Sequence, residues 1–338
     1  MSDAKVTLVI PGRNAGKTID VCLQSVTPLL ETGQLHEIIF VDDGSTDDTA
    51  ERVAQYPVRC IPGPGAGPGA ARNLGWRAAS TPFIWFIDSD CVAAPDALSI
   101  LLPYLEDPDV SGVGGSYGNM YPNKLLACLI HEEIIERHIA MPERVNFLAT
   151  FNVLYRRDIL EKIDGFDERF LKAQDAELSF RVRKSGGILA FDRQSIVKHH
   201  HPYRWSRYLK VQHDQGYWRA WLYFEYPDKM GGDSYSGFTD HIQPPLAMLS
   251  LGVFALIILS MIFSPLALLV TPLLVSLFLI LIGLALCQIP LTIKLTQRVG
   301  ALKYLSFGFM SYIRAYSRGL GLSKGTLAAL WNRRKAQN

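Results

Sequence analysis

The sequence has 338 residues and a formal net charge of +2, and 49% of its residues are hydrophobic. This composition excludes an intrinsically disordered chain, and the near-zero net charge argues against a nucleic-acid-binding protein. Both averages conceal an uneven distribution, because the charged residues and the apolar residues are concentrated in different parts of the chain.

The first 200 residues predict alternating strands and helices. Apolar runs rich in β-branched and aromatic residues lie at Val6–Ile10, Glu37–Val41, Val58–Ile61 and Phe83–Ile87. Stretches with helical spacing lie at Thr18–Leu30, Thr46–Gln55 and Gly69–Ala79. This alternation predicts an α/β fold with a mostly parallel sheet covered on both faces, whose ligands bind at the carboxyl ends of the strands.

Polar segments follow three of the predicted strands, namely Pro11–Asn14, Asp42–Ser45 and Asp88–Asp90. A single Asp in such a place is usually a turn former or a helix cap. Three polar segments at one edge of a sheet instead predict a binding site. Asp88 and Asp90 are suited to one hard divalent cation, Mg²⁺ or Mn²⁺, because these ions prefer oxygen ligands and keep substrate phosphates in their shell.

A rival pattern lies at Gly65–Ala70, which matches GxGxxA and follows a short predicted strand. Asp88 follows after about 20 residues, where a dinucleotide-binding fold keeps its ribose-binding acid. An NAD-dependent oxidoreductase is therefore the alternative class of enzyme. The preceding Pro62–Pro64 suits a loose loop better than a tight turn, and this interpretation leaves Asp42–Ser45 and Asp90 without a role.

The segment Pro202–Tyr226 is rich in Trp, Tyr and Arg, which are favoured at the level of lipid headgroups. It predicts an amphipathic helix on the membrane surface, with an aromatic-rich core helix as the alternative.

The 44 residues of Leu246–Ile289 contain no Asp, Glu, Lys, Arg or His. Because a spanning helix needs about 20 apolar residues, this stretch predicts a transmembrane hairpin of Leu246–Phe263 and Leu266–Ile289. A buried pair of core helices is the alternative.

The residues from Pro290 to Asn338 include nine basic side chains and no acidic one. Basic residues beside a span mark the cytoplasmic side and favour anionic headgroups of the lipid bilayer. Two spans return the chain to its starting side, so the N-terminal part and the C terminus are both predicted to be cytoplasmic in a multi-pass protein of a bacterial inner membrane. The polar start Met1–Lys5 does not resemble a signal peptide, and five cysteines without a CxxC pair fit reduced thiols.

Four regions are thus predicted along the chain: a catalytic domain at residues 1–203, an amphipathic juxtamembrane region at 204–245, two transmembrane helices at 246–289 and a basic tail at 290–338. Leu302–Ile313 is a candidate for a further interfacial or re-entrant segment.

Five motifs in order carry a resemblance to a known family: Val9–Asn14, Val41–Asp47, Gly69–Gly75, Phe86–Asp90 and Gly165–Arg181. Together they resemble the family 2 glycosyltransferases, over roughly Lys5–Tyr208. The resemblance implies a GT-A fold with a mixed, mostly parallel sheet. It also implies an inverting hexosyltransferase that uses a nucleotide-sugar donor and Mn²⁺ or Mg²⁺.

The resemblance also implies roles for particular residues. Contacts with the nucleotide sugar are expected from Pro11, Arg13, Asn14, Asp42, Asp43, Arg72, Asn73 and Asp88. Asp43 is expected to accept a hydrogen bond from the base, and Asp90 to be the main metal ligand, with Asp88 and His199. Since side chains alternate along a strand, His201 shares a face with His199 and is the substitute candidate, while a surface loop cluster is the alternative.

Inversion by direct displacement requires a base that removes the proton of the acceptor hydroxyl. The family supplies it as the Asp of a Glu-Asp pair, which here reads Gln174-Asp175. Asp175 is therefore the predicted catalytic base, at the start of a helix that extends to about Arg183. A purely helix-capping role for Asp175 is the alternative.

The sequence as a whole favours transfer of a single sugar from a UDP-sugar to a hydroxyl of a membrane-associated acceptor, such as a glycolipid or a cell-envelope polysaccharide precursor. A polyprenyl-phosphate glycosyltransferase is one alternative, although its ionised acceptor needs little help from a base. A processive polysaccharide synthase subunit is another, although two spans cannot enclose a channel. A non-enzymatic membrane anchor would not need the aligned aspartates.

Overall fold

The computed structural model describes residues 5–337. Of Lys229, Gly231, Ser264 and residues 334–337 it describes the backbone alone. The chain forms two compact units, Met1–His201 and Pro202–Asn338.

The strands of the first unit form one mixed sheet. They are β1 Val6–Gly12, β2 Glu37–Asp42, β3 Arg59–Pro62, β4 Phe83–Ile87, β5 Cys91–Ala93, β6 Val110–Asn119, β7 Arg144–Val145, β8 Asn152–Arg156 and β9 Ile188–His199. Their order is β3-β2-β1-β4-β8-β6-β9-β5, and β7 pairs with β9. The strands β3, β2, β1 and β4 run parallel, as the alternating sequence predicts, whereas β8 turns antiparallel to both β4 and β6. The predicted α/β fold with a mixed sheet is confirmed.

The helices of this unit lie between the strands. They are α1 Ile19–Val26, α2 Pro28–Glu31, α3 Thr49–Val53, α4 Pro68–Ala78, α5 Ala97–Leu101, α6 Leu125–Ala140, α7 Arg157–Lys162 and α8 Gln174–Lys184. The helix predicted over Thr18–Leu30 is divided before Pro28, whose ring nitrogen has no proton to donate. The helix predicted over Thr46–Gln55 is shorter, Thr49–Val53, and the Asp47 carboxylate accepts from the backbone N–H of Thr49 at 3.2 Å where it begins.

The central strand β4 explains why both faces of the sheet are covered. Its residues form a continuous apolar run, as in strands that are buried on both sides. Trp85 and Ile87 pack into one core cluster, and Ile84 and Phe86 pack into the other. Burial of Ile84–Ile87 on both faces fixes β4 in the sheet, so the polar residues that follow it are held at a defined edge.

The second unit is helical, with α9 Trp205–Glu225, α10 Phe238–Ile262, α11 Val270–Leu286, α12 Ile289–Val299 and α13 Ser306–Gln337. Glycines bring α9 and α13 into backbone contact. Gly216 lies against the backbone of Arg318, and Gly321 lies against the backbone of His213, so a Cβ atom at either glycine would collide. Small residues allow this close approach of two helices. The segment predicted as a basic tail is therefore largely helical, and part of it packs on the helix predicted to be amphipathic.

Two segments of this unit are long and apolar enough to cross a membrane, Phe238–Ile262 and Pro265–Val299. They contain the two predicted spans except for Phe263, and the break between them falls at residues 263–264, within one residue of the predicted place. None of the most apolar window of the second segment is buried within the described protein, which disfavours a pair of core helices. The crossing itself, its orientation and the entry of Leu302–Ile313 into a membrane stay predictions.

Candidate active site

The carboxyl ends of β1, β2 and β4 bring the three predicted polar segments to one edge of the sheet. Gly12 lies opposite Asp42 in the parallel pairing of β1 with β2. Asn14 has a positive φ of 52° and ties the two loops together. Its Oδ1 accepts from the backbone N–H of Thr46 at 2.8 Å, and its own N–H donates to Ser45 Oγ at 2.9 Å. Asn14 thus shapes the edge, and its predicted contact with a nucleotide stays a prediction.

The two neighbouring aspartates at the end of β2 have different environments. Asp42 Oδ1 accepts from the backbone N–H of Ser45 at 2.9 Å, which is a turn-forming bond. Asp43 is only 4% exposed, and its Oδ2 accepts from the backbone N–H of Gly67 at 2.8 Å. Its other oxygen, Oδ1, is buried without a hydrogen-bond partner among the described residues. Such an unpaired buried acceptor costs about 1–3 kcal/mol, so Oδ1 is a natural place for an N–H group of a ligand.

Pro11 and Arg13 flank this edge in contrasting ways. Pro11 is buried within β1, and Arg13 is exposed just after the strand. An exposed guanidinium beside a carboxylate-rich edge can reach an anionic ligand, while Pro11 can only line a wall. Their predicted contacts with the nucleotide stay predictions.

Arg72 of α4 joins two parts of the candidate site. Its side chain is buried, with Nη2 donating to Asp88 Oδ1 at 2.5 Å and Nη1 donating to Gln174 Oε1 at 2.9 Å. The guanidinium also lies over the ring of Phe166, 5.5 Å from its centroid. These contacts fix the orientation of Asp88, whose second carboxylate oxygen is then the one that can face a ligand.

Asn73, the neighbour of Arg72, has its amide fully engaged. Nδ2 donates to the carbonyl of Phe166 at 2.8 Å and to Glu168 Oε1 at 2.9 Å. Oδ1 accepts from the N–H of Phe166 at 2.8 Å and from Trp76 Nε1 at 3.0 Å. Since an Asn amide has two donor protons and two acceptor positions, Asn73 fastens the loop at residues 166–168 to α4. A contact with the nucleotide stays a prediction that would require one of these bonds to open.

The predicted metal ligands Asp90 and His199 are brought together by the sheet. The antiparallel pairing of β5 with β9 sets Cys91 opposite His199, and Asp90 Oδ2 then lies 3.7 Å from His199 Nε2. Asp90, Cys91 and His199 form a group whose potential ligand atoms all lie within 4.8 Å of one another. Burial, aided by Asp90 and Asp88, raises the pKa of the Cys91 thiol well above its ordinary value. Because Mg²⁺ and Mn²⁺ prefer oxygen and imidazole ligands to sulfur, Asp90 and His199 are the members of this group that would hold such a cation.

Asp88 lies outside this group, and its carboxylate is paired with Arg72. The structure thus separates the two acids of the Asp88–Asp90 motif, one towards the guanidinium and one towards the imidazole. A metal contact of Asp88 stays a prediction.

His201 lies directly behind His199. Their Nδ1 atoms are 3.4 Å apart, and the ring of Tyr117 contacts both imidazoles. His201 is 2% exposed, and burial lowers its pKa to about 2, so it is neutral at physiological pH. A loop cluster on the surface does not describe this buried residue. A neutral imidazole behind His199 is suited to fix the ring of a metal ligand.

Two further histidines, for which the sequence predicts no role, reach the same region from α6. The ring of His131 lies 5.6 Å from that of His201, and the ring of His138 stacks at 6.0 Å from that of Tyr117. His138 Nδ1 is 2.8 Å from Ser116 Oγ. Their spacing of seven residues places both on one helix face, which is the signal in the sequence that could have indicated a shared environment.

The predicted base, Asp175, occupies the first turn of α8. The helix begins at Gln174, after Ala173 in the left-handed conformation, and ends at Lys184, close to the predicted end. Asp175 Oδ1 accepts from the backbone N–H of Ala176 at 2.9 Å. Because Gln174 is bonded to Arg72, this turn is anchored to the group that holds Asp88. The role of Asp175 as a base stays a prediction.

The geometry at this edge can be compared with known proteins. A sequence profile described as glycosyl transferase family 2 matches residues 7–164. These residues form a family 2 glycosyltransferase domain. The predicted family and its class of enzyme, the transferases, are thereby confirmed for the domain. The oxidoreductase alternative finds no support, since the N–H of Gly67 within the glycine-rich segment is bonded to Asp43.

Named relatives agree with this family. The chain is 27% identical over 203 residues to glycosyltransferase AglE of Haloferax volcanii, covering 57% of this chain and 66% of that protein. It is 26% identical over 259 residues to the O-antigen chain rhamnosyltransferase RfbN of Salmonella typhimurium, covering 71% of this chain and 81% of that protein. Several other curated relatives are longer, and the chain spans 35% to 49% of their length.

A solved structure shares the fold over most of the chain. It is the mannosyltransferase PcManGT from Pyrobaculum calidifontis in complex with GDP-Man and Mn²⁺, with a TM-score of 0.57 and 16% identity. The alignment covers 97% of this chain and 88% of that one. This likeness shows a common fold.

Proposed function

We propose that the protein is an inverting glycosyltransferase that moves a single sugar from a nucleotide-sugar donor to a hydroxyl of a membrane-associated acceptor. The observation that supports this most is the unpaired, buried Oδ1 of Asp43, at the same sheet edge as the Asp90–His199 pair. One end of the edge can thus accept a hydrogen bond from a base, and the other can hold a cation beside a diphosphate. Both belong to a domain of the glycosyltransferase family.

The donor fits this arrangement through its base and its phosphates. A carboxylate oxygen accepts a hydrogen bond from the ring N–H of uracil, thymine or guanine, and UDP-sugars are the donors that we favour. Asp90 and His199 are the residues that would hold Mn²⁺ or Mg²⁺. When bound, such a cation offsets the negative charge that develops on the leaving phosphate. Arg13 and the Arg72–Asp88 pair lie along the same edge, where they would contact the phosphates and the sugar.

Asp175 is the residue to which we assign proton removal. As the acceptor oxygen forms its bond to the anomeric carbon, the bond from that carbon to the leaving phosphate oxygen breaks. The hydroxyl proton passes to the Asp175 carboxylate, and the nucleoside diphosphate leaves with the bonding electron pair. General-base help of this kind contributes about 10²–10⁴-fold to a rate. A polyprenyl phosphate acceptor, already ionised, would not need it.

The second unit supports a location at a membrane. We propose that Phe238–Ile262 and Pro265–Val299 cross the bilayer, with both termini of the chain on the cytoplasmic side of a bacterial inner membrane and the basic residues near anionic headgroups. The name of RfbN, an O-antigen chain rhamnosyltransferase, favours a surface-polysaccharide precursor as acceptor. A processive synthase would require more helices than these, or partner subunits that supply them.

The proposal is tested with the full chain in detergent. UDP-, GDP- and dTDP-sugars are screened for hydrolysis and transfer with Mn²⁺ or Mg²⁺. Asp175→Asn is expected to lose transfer to a hydroxyl acceptor while nucleotide binding persists, and undiminished turnover would remove Asp175 as the base and favour a phosphate acceptor. Failure of all three donors to bind, together with tight binding of NAD(H), would overturn the proposed function.

A further inference from the structure

Gln174 stands where the resembled family has a Glu, and the structure shows what its amide does. The side chain is 5% exposed. Its Oε1 accepts from Arg72 Nη1 at 2.9 Å, and its Nε2 donates to the carbonyl of Leu171 at 3.2 Å. The two partners require opposite ends of the amide, so they determine its orientation.

A carboxylate could not replace this amide without a loss. It has only acceptor oxygens, so one of them would face the carbonyl oxygen of Leu171 with no proton between them. The loop before α8 is therefore built around an amide. The amide also packs directly against the neighbouring helix α4, where a Cβ at Gly69 would lie 3.4 Å from Gln174 Oε1, an ordinary van der Waals distance.

The charges around Arg72 also favour a neutral amide over a carboxylate at position 174. The guanidinium has one ionised partner, Asp88, and one neutral partner, Gln174. These three side chains together carry no net charge, whereas a Glu would give them a charge of −1. Asp90 and Asp175 add negative charge at the neighbouring positions. An extra buried carboxylate here would repel an anionic phosphate and attract a cation.

We propose that Gln174 is a positioning residue of the donor site. Its amide holds the Arg72 guanidinium against Asp88, and its neutrality limits the negative charge that a donor diphosphate meets. This inference rests on the proposed function, in which a nucleoside diphosphate binds at this edge. Gln174 acts through Arg72 and touches neither the donor nor the acceptor.

The test compares Gln174→Glu with Gln194→Glu, which adds the same charge at an exposed position of β9 in the same unit. UDP affinity is measured without metal at low and high salt, with uridine as the uncharged probe. Mn²⁺ affinity is measured by electron paramagnetic resonance with no nucleotide present. Gln174→Glu is expected to weaken UDP about fivefold at low salt and to strengthen Mn²⁺ about as much, with the UDP effect fading in high salt. Uridine affinity should stay within about twofold, because the added charge has no charged partner in the nucleoside.

The outcomes separate the two proposals. If wild-type protein binds UDP but Gln174→Glu matches it for both UDP and Mn²⁺, the role of Gln174 is refuted and the proposed function stands. If wild-type protein binds no nucleotide, the proposed function fails, and the Mn²⁺ titration alone still decides on the charge at Gln174. Should Gln174→Glu fail to fold, Gln174→Met retains the neutral charge but cannot hold Arg72. It should then hydrolyse the donor more slowly with Mn²⁺ affinity unchanged, and unaltered turnover would refute the positioning role.

Discussion

Replacing Asp43 by Asn tests the proposed base-binding end of the site with a change of one atom. In the structure Asp43 Oδ2 is occupied by the N–H of Gly67 at 2.8 Å, and the buried Oδ1 has no partner among the described residues. An Asn has one acceptor oxygen, so it can serve Gly67 or a base, but not both. The amide NH₂ would then face either the N–H of Gly67 or the N–H of the base, which are both donors.

The size of the effect follows from the lost bond. A hydrogen bond to a charged acceptor contributes about 1.5–3 kcal/mol, which corresponds to about a 10- to 150-fold weaker Kd. The free protein should be affected much less, because the amide oxygen of Asn can keep the bond to Gly67 and the unpaired buried Oδ1 is exchanged for an equally unpaired NH₂ group. Asp43→Asn is therefore expected to lose nucleotide affinity with little change in Tm.

Isothermal titration with UDP and with GDP measures this directly on the full chain. Asp96→Asn serves as the control, because it removes the same charge at an exposed position before α5 that is 53 residues from Asp43 along the chain. An Asp43→Asn protein that is folded and binds nucleotide within about twofold of wild type would refute the assignment of Asp43 to the base. A parallel loss in both variants would instead indicate a general electrostatic effect.

Further predictions concern the metal, the histidines and the helix pair. Asp90→Ala, or chelation with EDTA, should abolish the metal-dependent part of nucleotide affinity in a titration, and a metal response that survives in Asp90→Ala would contradict the assigned site. Burial lowers the pKa of His138 to about 4, so the unfolded chain binds the proton more readily and stability falls as pH drops below about 6.5. Between pH 7 and pH 5 His138 should cost about 2 kcal/mol, and His138→Gln should show a correspondingly smaller fall in Tm. Gly321→Ala should lower Tm by several degrees because its Cβ meets the backbone of His213, whereas Gly252→Ala, with open space around it, should not.

The sequence predicts the parts of the site that depend on local pattern. Asp43 and Asp90 could be placed because each follows an apolar run that forms a strand, and parallel strands end at a common edge. The bond between Arg72 and Gln174 joins residues 102 positions apart, and no local pattern reveals such a contact. In the same way, the full engagement of the Asn73 amide depends on a distant loop.

The second unit shows a different gap between sequence and structure. A count of charges predicts only a basic tail after Pro290. It carries no information on whether this segment is helical or which helix packs against it. The spacing of glycines does carry some information on helix packing. Gly321 and Gly325 lie four residues apart and therefore on one helix face, where both contact the backbone of α9. The apolar hairpin was predictable because its signal is the absence of charge over a long local stretch.

The pairing of α9 with α13 also sets an order for biosynthesis. Ser317 Oγ donates to the carbonyl of Leu209 at 2.7 Å, across 108 residues of chain that include both apolar segments. The face of α9 that contacts α13 is therefore synthesised long before its partner helix leaves the ribosome. During that interval α9 lacks this partner while both apolar segments are made, so completion of the α9–α13 pair waits for α13 to be translated.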